Sequence, residues 1–309
     1  MKETLDKLDC KAVVFIDLLG FKNYVYDNID SAQNLLFNIH TAINDVISDN
    51  KFKRYNSFEN LIPISDSIVI TSIKPDELVK QLSVFLFTIF KNVSHHYKNP
   101  ENPSNPTEIT KTNCIFKISN NKITTNSKKY KANQYPPIFR GGISYGEAKI
   151  CDISAIKSYK GTKVFNILGV PLIESYELES LPNSPSILLS KNFYKKLKNK
   201  ASKKYIIKKN INKKSYYELL WLAYYFEETD LPFVIFKFQE FFEPVYNLWT
   251  FFKNDKYAKK YSNFLKLIYK SFLWSIKEKE NFRLAKEQIE NYIIRNFSDI
   301  VIKNNKMII

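Results

Sequence analysis

The chain has 309 residues, of which 44% are hydrophobic and 15% aromatic, enough for one large domain or a domain with a smaller appendage. Its longest apolar runs are far shorter than the roughly 20 residues that cross a bilayer, and its start has no apolar signal core. We therefore expect a soluble, cytoplasmic protein without a membrane partner. Three cysteines without a CxxC pair and only three histidines argue against a disulfide framework, a structural zinc site and a His-dependent triad.

The net charge is +16, from 47 Lys and Arg against 31 Asp and Glu. Such an excess suggests partners that carry phosphate, nucleic acid among them. Lysine is spread along nearly the whole sequence and asparagine is also abundant, so a compositional bias explains the charge equally well. Nucleic acid is therefore not favoured as a partner.

The first half of the chain contains two apolar segments that are each interrupted by an aspartate. Residues 12–19 predict a buried strand that carries Asp17 near its end, before Gly20. Residues 61–72 contain two β-rich runs that meet at Ser65 and Asp66, which predicts a hairpin with Asp66 in the turn. Apolar residues at helical spacing predict helices over about 23–50 and 75–93.

The remainder predicts a polar insertion, further strands and a helical end. Residues 98–137 are rich in Asn, Pro, Thr, Ser and Lys, which indicates a flap with a short hairpin around 114–119. The later predictions are a strand over 138–150, a helix over 169–180, a strand over 186–190, a short helix after it, and strands around 203–209 and 215–225. We place a boundary between a domain of residues 1–230 and a helical region of residues 231–309.

This order of elements predicts an α+β fold with a ferredoxin-like core. In that core the end of the first strand and the second hairpin turn lie side by side, which would bring Asp17 and Asp66 together. Paired carboxylates hold the divalent ions of two-metal phosphoryl chemistry. The alternative is that each aspartate merely caps a turn.

Four segments resemble the class III nucleotidyl cyclases. They are FIDLLGF (15–21), ISDSIVI (64–70), FRGGISYGEA (139–148) and GVPLIESYELES (169–180). The resemblance covers about residues 10–225. It implies a cyclase domain with a nucleoside triphosphate substrate, and a homodimer whose active sites draw on both chains.

The resemblance also implies roles for individual residues. Asp17, Asp66 and the backbone carbonyl of Leu18 would bind two Mn²⁺ or Mg²⁺ ions. Main-chain N–H groups at Gly20 and Phe21 would hold phosphate oxygens.

Two basic positions would complete the phosphate site. Arg140 would contact the phosphates, for which the forked guanidinium is suited. Lys213 or Lys214 would take the place of a phosphate-binding lysine in the family.

The sequence departs from the purine cyclases at the positions that read the base and stabilise the transition state. Ile62 and Asn166 replace the purine-reading residues, while Ile173 and Glu177 replace an Asn and an Arg. These features resemble the pyrimidine cyclases of the Pycsar anti-phage systems, whose cyclic UMP or cyclic CMP activates a separate effector.

Three functions remain open at this point. A pyrimidine cyclase would recognise the base with residues such as Phe21, Tyr55 and Asn166, with uridine slightly favoured. A purine cyclase or a cyclic-oligonucleotide synthase would make products from ATP or GTP. A catalytically inactive module would sense nucleotides or dimerise, and its C-terminal region would bind a partner.

Overall fold

A computed structural model describes residues 9–49, 56–119, 122–152, 165–182, 184–227 and 231–309. Within them, twelve strands form one large sheet and two small hairpins. The strands are β1 (Asp9–Leu18), β2 (Asn60–Ile64), β3 (Ser67–Ser72), β4 (Glu108–Ser119), β5 (Lys122–Asn133), β6 (Phe139–Asp152), β7 (Phe165–Gly169), β8 (Ile187–Leu189), β9 (Ile206–Ile211), β10 (Lys214–Leu219), β11 (Val301–Lys303) and β12 (Lys306–Ile308).

Ten α-helices accompany these strands in the described ranges. They are α1 (Phe21–Asp27), α2 (Ile29–Ser48), α3 (Pro75–Ser94), α4 (Val170–Ser180), α5 (Lys191–Lys196), α6 (Lys200–Lys203), α7 (Ala223–Glu227), α8 (Leu231–Phe252), α9 (Ala258–Ile276) and α10 (Phe282–Asn296). None of the described helices is both long and apolar enough to cross a membrane.

The large sheet has the order β2-β3-β1-β6-β8-β10-β9, with β7 paired to β6. The strands β2, β3, β1 and β6, at one end of this order, are antiparallel neighbours, and they have the ferredoxin-like order. The α+β class predicted from the sequence is therefore confirmed.

One face of the sheet carries the main core. Alternate residues of β1, such as Val14 and Ile16, point into an apolar cluster that also contains the buried faces of α2 and α3. The C-terminal helices join the same cluster, where the ring of Phe241 stacks on that of Phe90 at 5.4 Å. Fully burying a phenylalanine contributes about 2–3 kcal/mol, so these contacts attach the helical region firmly to the sheet.

Several predicted elements differ in extent. The single helix over 23–50 is two helices, because Asn28 is extended and its side chain accepts a hydrogen bond from the Ser31 N–H, which caps α2. The flap contains a hairpin of two twelve-residue strands, much longer than predicted.

The second half of the predicted strand over 215–225 is wrong. β10 ends at Leu219, and Ala223–Glu227 is helical. An apolar run of this length does not distinguish a strand from a buried helix by periodicity. The strand β7 and the terminal β11-β12 hairpin were not predicted.

Candidate active site

The site is built on one row across the sheet, at the end of β1. In this row Asp17 of β1 pairs with Ser67 of β3 on one side and with Arg140 of β6 on the other. Directly paired residues point to the same face of an antiparallel sheet, so these three side chains meet. The register therefore places an acid between a hydroxyl and a guanidinium.

Asp17 is held by hydrogen bonds to both of its carboxylate oxygens. Arg140 donates from Nε at 3.0 Å and from Nη2 at 2.9 Å to Oδ2. Ser67 donates from its hydroxyl to Oδ1 at 3.1 Å. The Asp17 side chain is 13% exposed and that of Arg140 26%, so the pair lies at the edge of the solvent.

Glu179 of α4 is a second acid on Arg140. Its side chain is 4% exposed, and Oε1 forms an ion pair with Arg140 Nε, although this oxygen accepts no well-directed hydrogen bond from the described residues. Burial raises the pKa of Glu179 to about 7; the Arg140 charge opposes this rise and the Asp17 charge adds to it.

A close approach of α4 to the sheet explains how Glu179 reaches the site. A Cβ on Gly142 of β6 would lie only 2.0 Å from the carbonyl oxygen of Ser175. The helix therefore packs directly on the β6 backbone, and its last turn carries Glu179 to Arg140. Sequence analysis missed both Ser67 and Glu179 as site residues.

Asp66 lies in the turn between β2 and β3, where the preceding residue, Ser65, has a left-handed backbone with φ of +56°. Burial raises the pKa of Asp66 and the nearby negative charge of Asp17 raises it further, while hydrogen bonds from the Asp66 backbone and from Ser65 oppose the rise. Ser67, the residue after Asp66, pairs with Asp17, so the turn that carries Asp66 adjoins the aspartate row.

The chain turns sharply beyond the aspartate row. Leu18 is buried at the end of β1, and Gly20 adopts the left-handed conformation, with φ of +90°, immediately before α1. Phe21 begins α1 and is buried. The residues of the predicted phosphate turn thus follow Asp17 directly.

An apolar pocket lies on the same face of the sheet, beginning two residues along β1 from Asp17. Two residues of a strand span about 7 Å. The pocket has a volume of about 330 Å³, and its lining includes Phe15, Ile62, Val69, Asn166, Ile173 and Tyr176. The rings of Phe15 and Tyr176 meet edge to face at 5.3 Å.

The pocket brings together Ile62 and Asn166, the two residues that stand at the purine-reading positions of the resemblance. Asn166 and Tyr176 supply the polar groups of its lining, and the others are apolar. Phe21 is not part of this lining, and Tyr55 lies outside the described residues. The roles of Phe15 and Tyr176 were missed, because they come from separate segments.

The positions that depart from the purine cyclases are also placed. Ile173 lines the pocket and is 59% exposed, whereas Glu177, one turn further along α4, borders a separate hollow. Lys213 and Lys214 lie at the β9-β10 turn. Leu219 lies at the other end of β10 and pairs with Ile187 of β8. Ile187 pairs with Gly141 of β6, and Gly141 pairs with Ile16, the residue before Asp17. This chain does not bring either lysine to its own aspartate row.

The donor set fits a hard divalent cation. Carboxylate and backbone carbonyl oxygens are the ligands that Mg²⁺ and Mn²⁺ prefer, and two like charges in contact are relieved by a cation between them. In the described ranges, no three His, Cys, Asp or Glu side chains converge in a metal-binding cluster. An ion would therefore be held by Asp17 and Asp66 with the carbonyl of Leu18 and oxygens of a bound ligand.

Comparison with known proteins gives solved structures only. No protein-family model and no curated protein matches this chain. Adenylate cyclases from Trypanosoma brucei in their monomeric state align over 68% of this chain and 88% of theirs, with 14% identity and a TM-score of 0.42.

Two guanylyl cyclases align in the same way. Cya2 covers 69% of this chain and 91% of its own at 12% identity and a TM-score of 0.43. The monomeric guanylyl cyclase domain of the RhoGC fusion protein from the aquatic fungus Blastocladiella emersonii covers 69% and 95% at 13% identity and a TM-score of 0.40. Similarity at this level assigns no function, which must come from the site itself.

Proposed function

We propose that this chain is a nucleotide cyclase that converts a pyrimidine nucleoside triphosphate, UTP or CTP, into its 3′,5′-cyclic monophosphate and pyrophosphate. The observation that carries the proposal is the row at the end of β1, in which Arg140 is bound to Asp17 on one side and Ser67, the residue after Asp66, pairs with Asp17 on the other. A pair of carboxylates with an adjacent arginine is the arrangement that polyphosphate chemistry requires.

Each residue of the site would have a separate role. Asp17, Asp66 and the Leu18 carbonyl would hold two Mn²⁺ or Mg²⁺ ions, which when bound would activate the 3′-hydroxyl and neutralise the leaving pyrophosphate. The hydroxyl loses its proton to a solvent water as its oxygen forms a bond to the α-phosphorus. The bond from that phosphorus to the bridging oxygen breaks, and pyrophosphate leaves with the electron pair. Arg140 would turn from Asp17 to the phosphates and stabilise their charge.

The apolar pocket supports a pyrimidine base as the ligand. Its walls suit the faces of an aromatic ring, and the Asn166 amide both donates and accepts hydrogen bonds, so it can pair with the edge of uracil or cytosine. Ile62 has no group that hydrogen-bonds to a purine. The polyphosphate would lie towards Gly20 and Phe21.

The sequence resemblance extends the proposal to partners. The active protein would be a homodimer in which the aspartate row of one chain faces residues of the other. Its product would activate a separate effector in antiviral defence, as in the Pycsar systems.

A second candidate is a catalytically inactive module that binds nucleotides or dimerises. Ile173 and Glu177 favour it, because they stand where cyclases of the family have transition-state Asn and Arg side chains. Neither residue offers a positive charge or an amide. The neighbouring charges of Asp17 and Asp66 argue against it, since the Asp17 charge raises the pKa of Asp66 and two adjacent acids cost stability unless they bind something.

The test is product analysis. Purified protein is incubated with each of the four ribonucleoside triphosphates and Mn²⁺, and the products are identified by mass spectrometry. We expect a cyclic pyrimidine monophosphate. Its rate of formation should fall at least about 1,000-fold in Asp66→Ala, because the variant lacks one of the two proposed metal-binding carboxylates. Asp45→Ala, which removes an exposed aspartate of α2, serves as the control.

Two other outcomes of the product analysis would change the proposed function. Cyclic or linear purine products would replace the pyrimidine assignment with a purine one. Absence of any product, with or without Asp66, would leave the inactive module as the function.

A separate variant tests the base pocket. Asn166→Ala should reduce the preference for the favoured base by about tenfold, since one amide pairing contributes about 1–2 kcal/mol. The ratio of kcat/KM between the two pyrimidine triphosphates is the measurement, and Asn44→Ala on the surface of α2 is the control. An unchanged ratio would remove Asn166 from base recognition.

A further inference from the structure

A buried lysine from the C-terminal region lies directly behind the turn that follows Asp17. Lys260, in the first turn of α9, is 7% exposed. A Cβ on Gly20 would lie 3.2 Å from its Nζ and 3.8 Å from its Cδ. Gly20 therefore meets two demands, a left-handed backbone and space for the lysine.

Aromatic rings surround the ammonium group. Nζ donates a hydrogen bond to the Tyr24 hydroxyl and lies 4.3 Å from the centre of that ring. It lies 4.5 Å from the ring of Tyr257 and 4.9 Å from that of Tyr261. Tyr24 belongs to α1 and stacks at 4.1 Å on Tyr135, which precedes β6. We call Tyr24, Tyr135, Tyr257 and Tyr261 the tyrosine cage.

The cage leaves the lysine charge weakly balanced. Burial lowers the pKa of Lys260 to about 7, and Asp255, exposed before α9, only partly opposes this. Burial also raises the pKa of Tyr24 and Tyr261 well above the usual range, so these phenols are neutral at pH 7. Ring faces and one hydroxyl then stabilise the cation, as cation–π contacts do.

We infer that Lys260 is a positioning residue for the triphosphate, with an ammonium that supports the Gly20–Phe21 turn from behind while the phosphates lie in front of it. The inference rests on the proposed function. It gives the C-terminal region a role in the site, because the Lys260 side chain of α9 reaches the Gly20 turn. An anionic ligand in front of the turn favours the protonated amine, so binding should take up a proton near neutral pH.

The experiment uses the full chain and inorganic triphosphate with Mn²⁺ as the probe, which separates phosphate binding from base recognition and from cyclisation. Calorimetric titrations at pH 7.5 in two buffers of different ionisation enthalpy measure both affinity and proton uptake. We expect the unsubstituted protein to take up about half a proton or more. Lys260→Met should take up about half a proton less than the unsubstituted protein and bind about tenfold more weakly.

Two further variants make the test specific. Lys259→Met removes the exposed neighbouring lysine of the same helix and should match the unsubstituted protein in both readouts. Lys260→Arg keeps a positive charge that does not titrate, so it should restore affinity while its proton uptake stays as low as that of Lys260→Met. This variant also tests the inference if Lys260→Met does not fold.

The outcomes distinguish the two proposals. Wild-type affinity and proton uptake in Lys260→Met would overturn the role of Lys260 while leaving the proposed function intact. Failure of the unsubstituted protein to bind triphosphate with Mn²⁺ would overturn both.

Discussion

The molecule buries charge at the aspartate row and in the tyrosine cage, and it stabilises the two in different ways. At the row, Arg140 lies between Asp17 and Glu179, so each charge has an opposite charge in contact. In the cage, Lys260 contacts phenols.

The difference shows what each arrangement can do. Opposite charges in contact stabilise one another. A bound cation can therefore replace Arg140 beside Asp17 without leaving the carboxylate unpaired. A cation among neutral rings stays charged only near or below neutral pH, so its charge responds to whatever approaches. The aspartate row is therefore suited to binding a ligand stably, whereas the protonation of Lys260 in the tyrosine cage responds to a nearby anion.

The largest expected effect comes from breaking the row. Arg140→Met should lower kcat/KM for the triphosphate turned over by at least about 100-fold, because the charge of the leaving phosphates loses its main side-chain partner. It also leaves Asp17 and Glu179 without their shared cation, so the free energy of unfolding should fall by about 1–3 kcal/mol.

Steady-state kinetics and urea denaturation measure these two effects. Arg283→Met, in an exposed part of α10, is the control for charge and composition. Full activity in Arg140→Met would show that Arg140 serves only to hold Asp17.

A buried acid away from the site, paired with two lysines, provides a further case for this comparison. Glu218 of β10 is 2% exposed and contacts Lys209 at 2.5 Å and Lys270 at 3.3 Å. Burial raises the pKa of Glu218, but the two lysines together outweigh burial and lower it below the usual range. Glu218→Gln should cost about 2 kcal/mol of stability and leave triphosphate binding unchanged.

The pH dependence of this pair has a definite sign. Because the native pKa of Glu218 is depressed, its contribution is present above the usual carboxyl pKa and is lost as the pH falls through the native value. Denaturation at pH 7 and pH 4 measures this loss, with Glu280→Gln on the surface as the control. A variant as stable as the control at pH 7 would refute the pairing argument.

These contrasts explain what the sequence could predict. Asp17 and Asp66 each interrupt an apolar strand, so local pattern and the ferredoxin-like order place them together. Arg140 was assigned to the site only through the resemblance of the segment FRGGISYGEA to a cyclase motif. Glu179 is not predictable in this way, because its contact depends on how closely α4 approaches Gly142.

Lys260 gives no local signal at all. Tyr24 and Lys260 are 236 residues apart in the chain, and in its helix Lys260 looks like any other lysine beside apolar residues. The C-terminal region was predicted only as helical. Its contact with the Gly20 turn depends on packing between distant segments, which periodicity does not encode.

The smallest expected effect is the stability that Lys260 itself costs. Its native pKa of about 7 lies below the usual lysine value of 10.5, so between these values the unfolded chain binds more protons than the native one. Stability should therefore rise with pH across this window. Lys260→Met keeps the length of the side chain without the charge, so it should gain about 1 kcal/mol or more at pH 7, and the gain should shrink towards pH 9.5.

Denaturation from pH 6 to pH 9.5 measures this difference against Lys259→Met, which has the same tyrosines and so the same contribution from their ionisation. A Lys260→Met variant that is less stable than the control, with the same slope against pH, would mean that the cage stabilises the ammonium as fully as Arg140 and its two acids stabilise one another. The two kinds of buried charge would then be equivalent. A gain that fades with rising pH would show that the protein gives up stability to keep a responsive cation behind the Gly20–Phe21 turn.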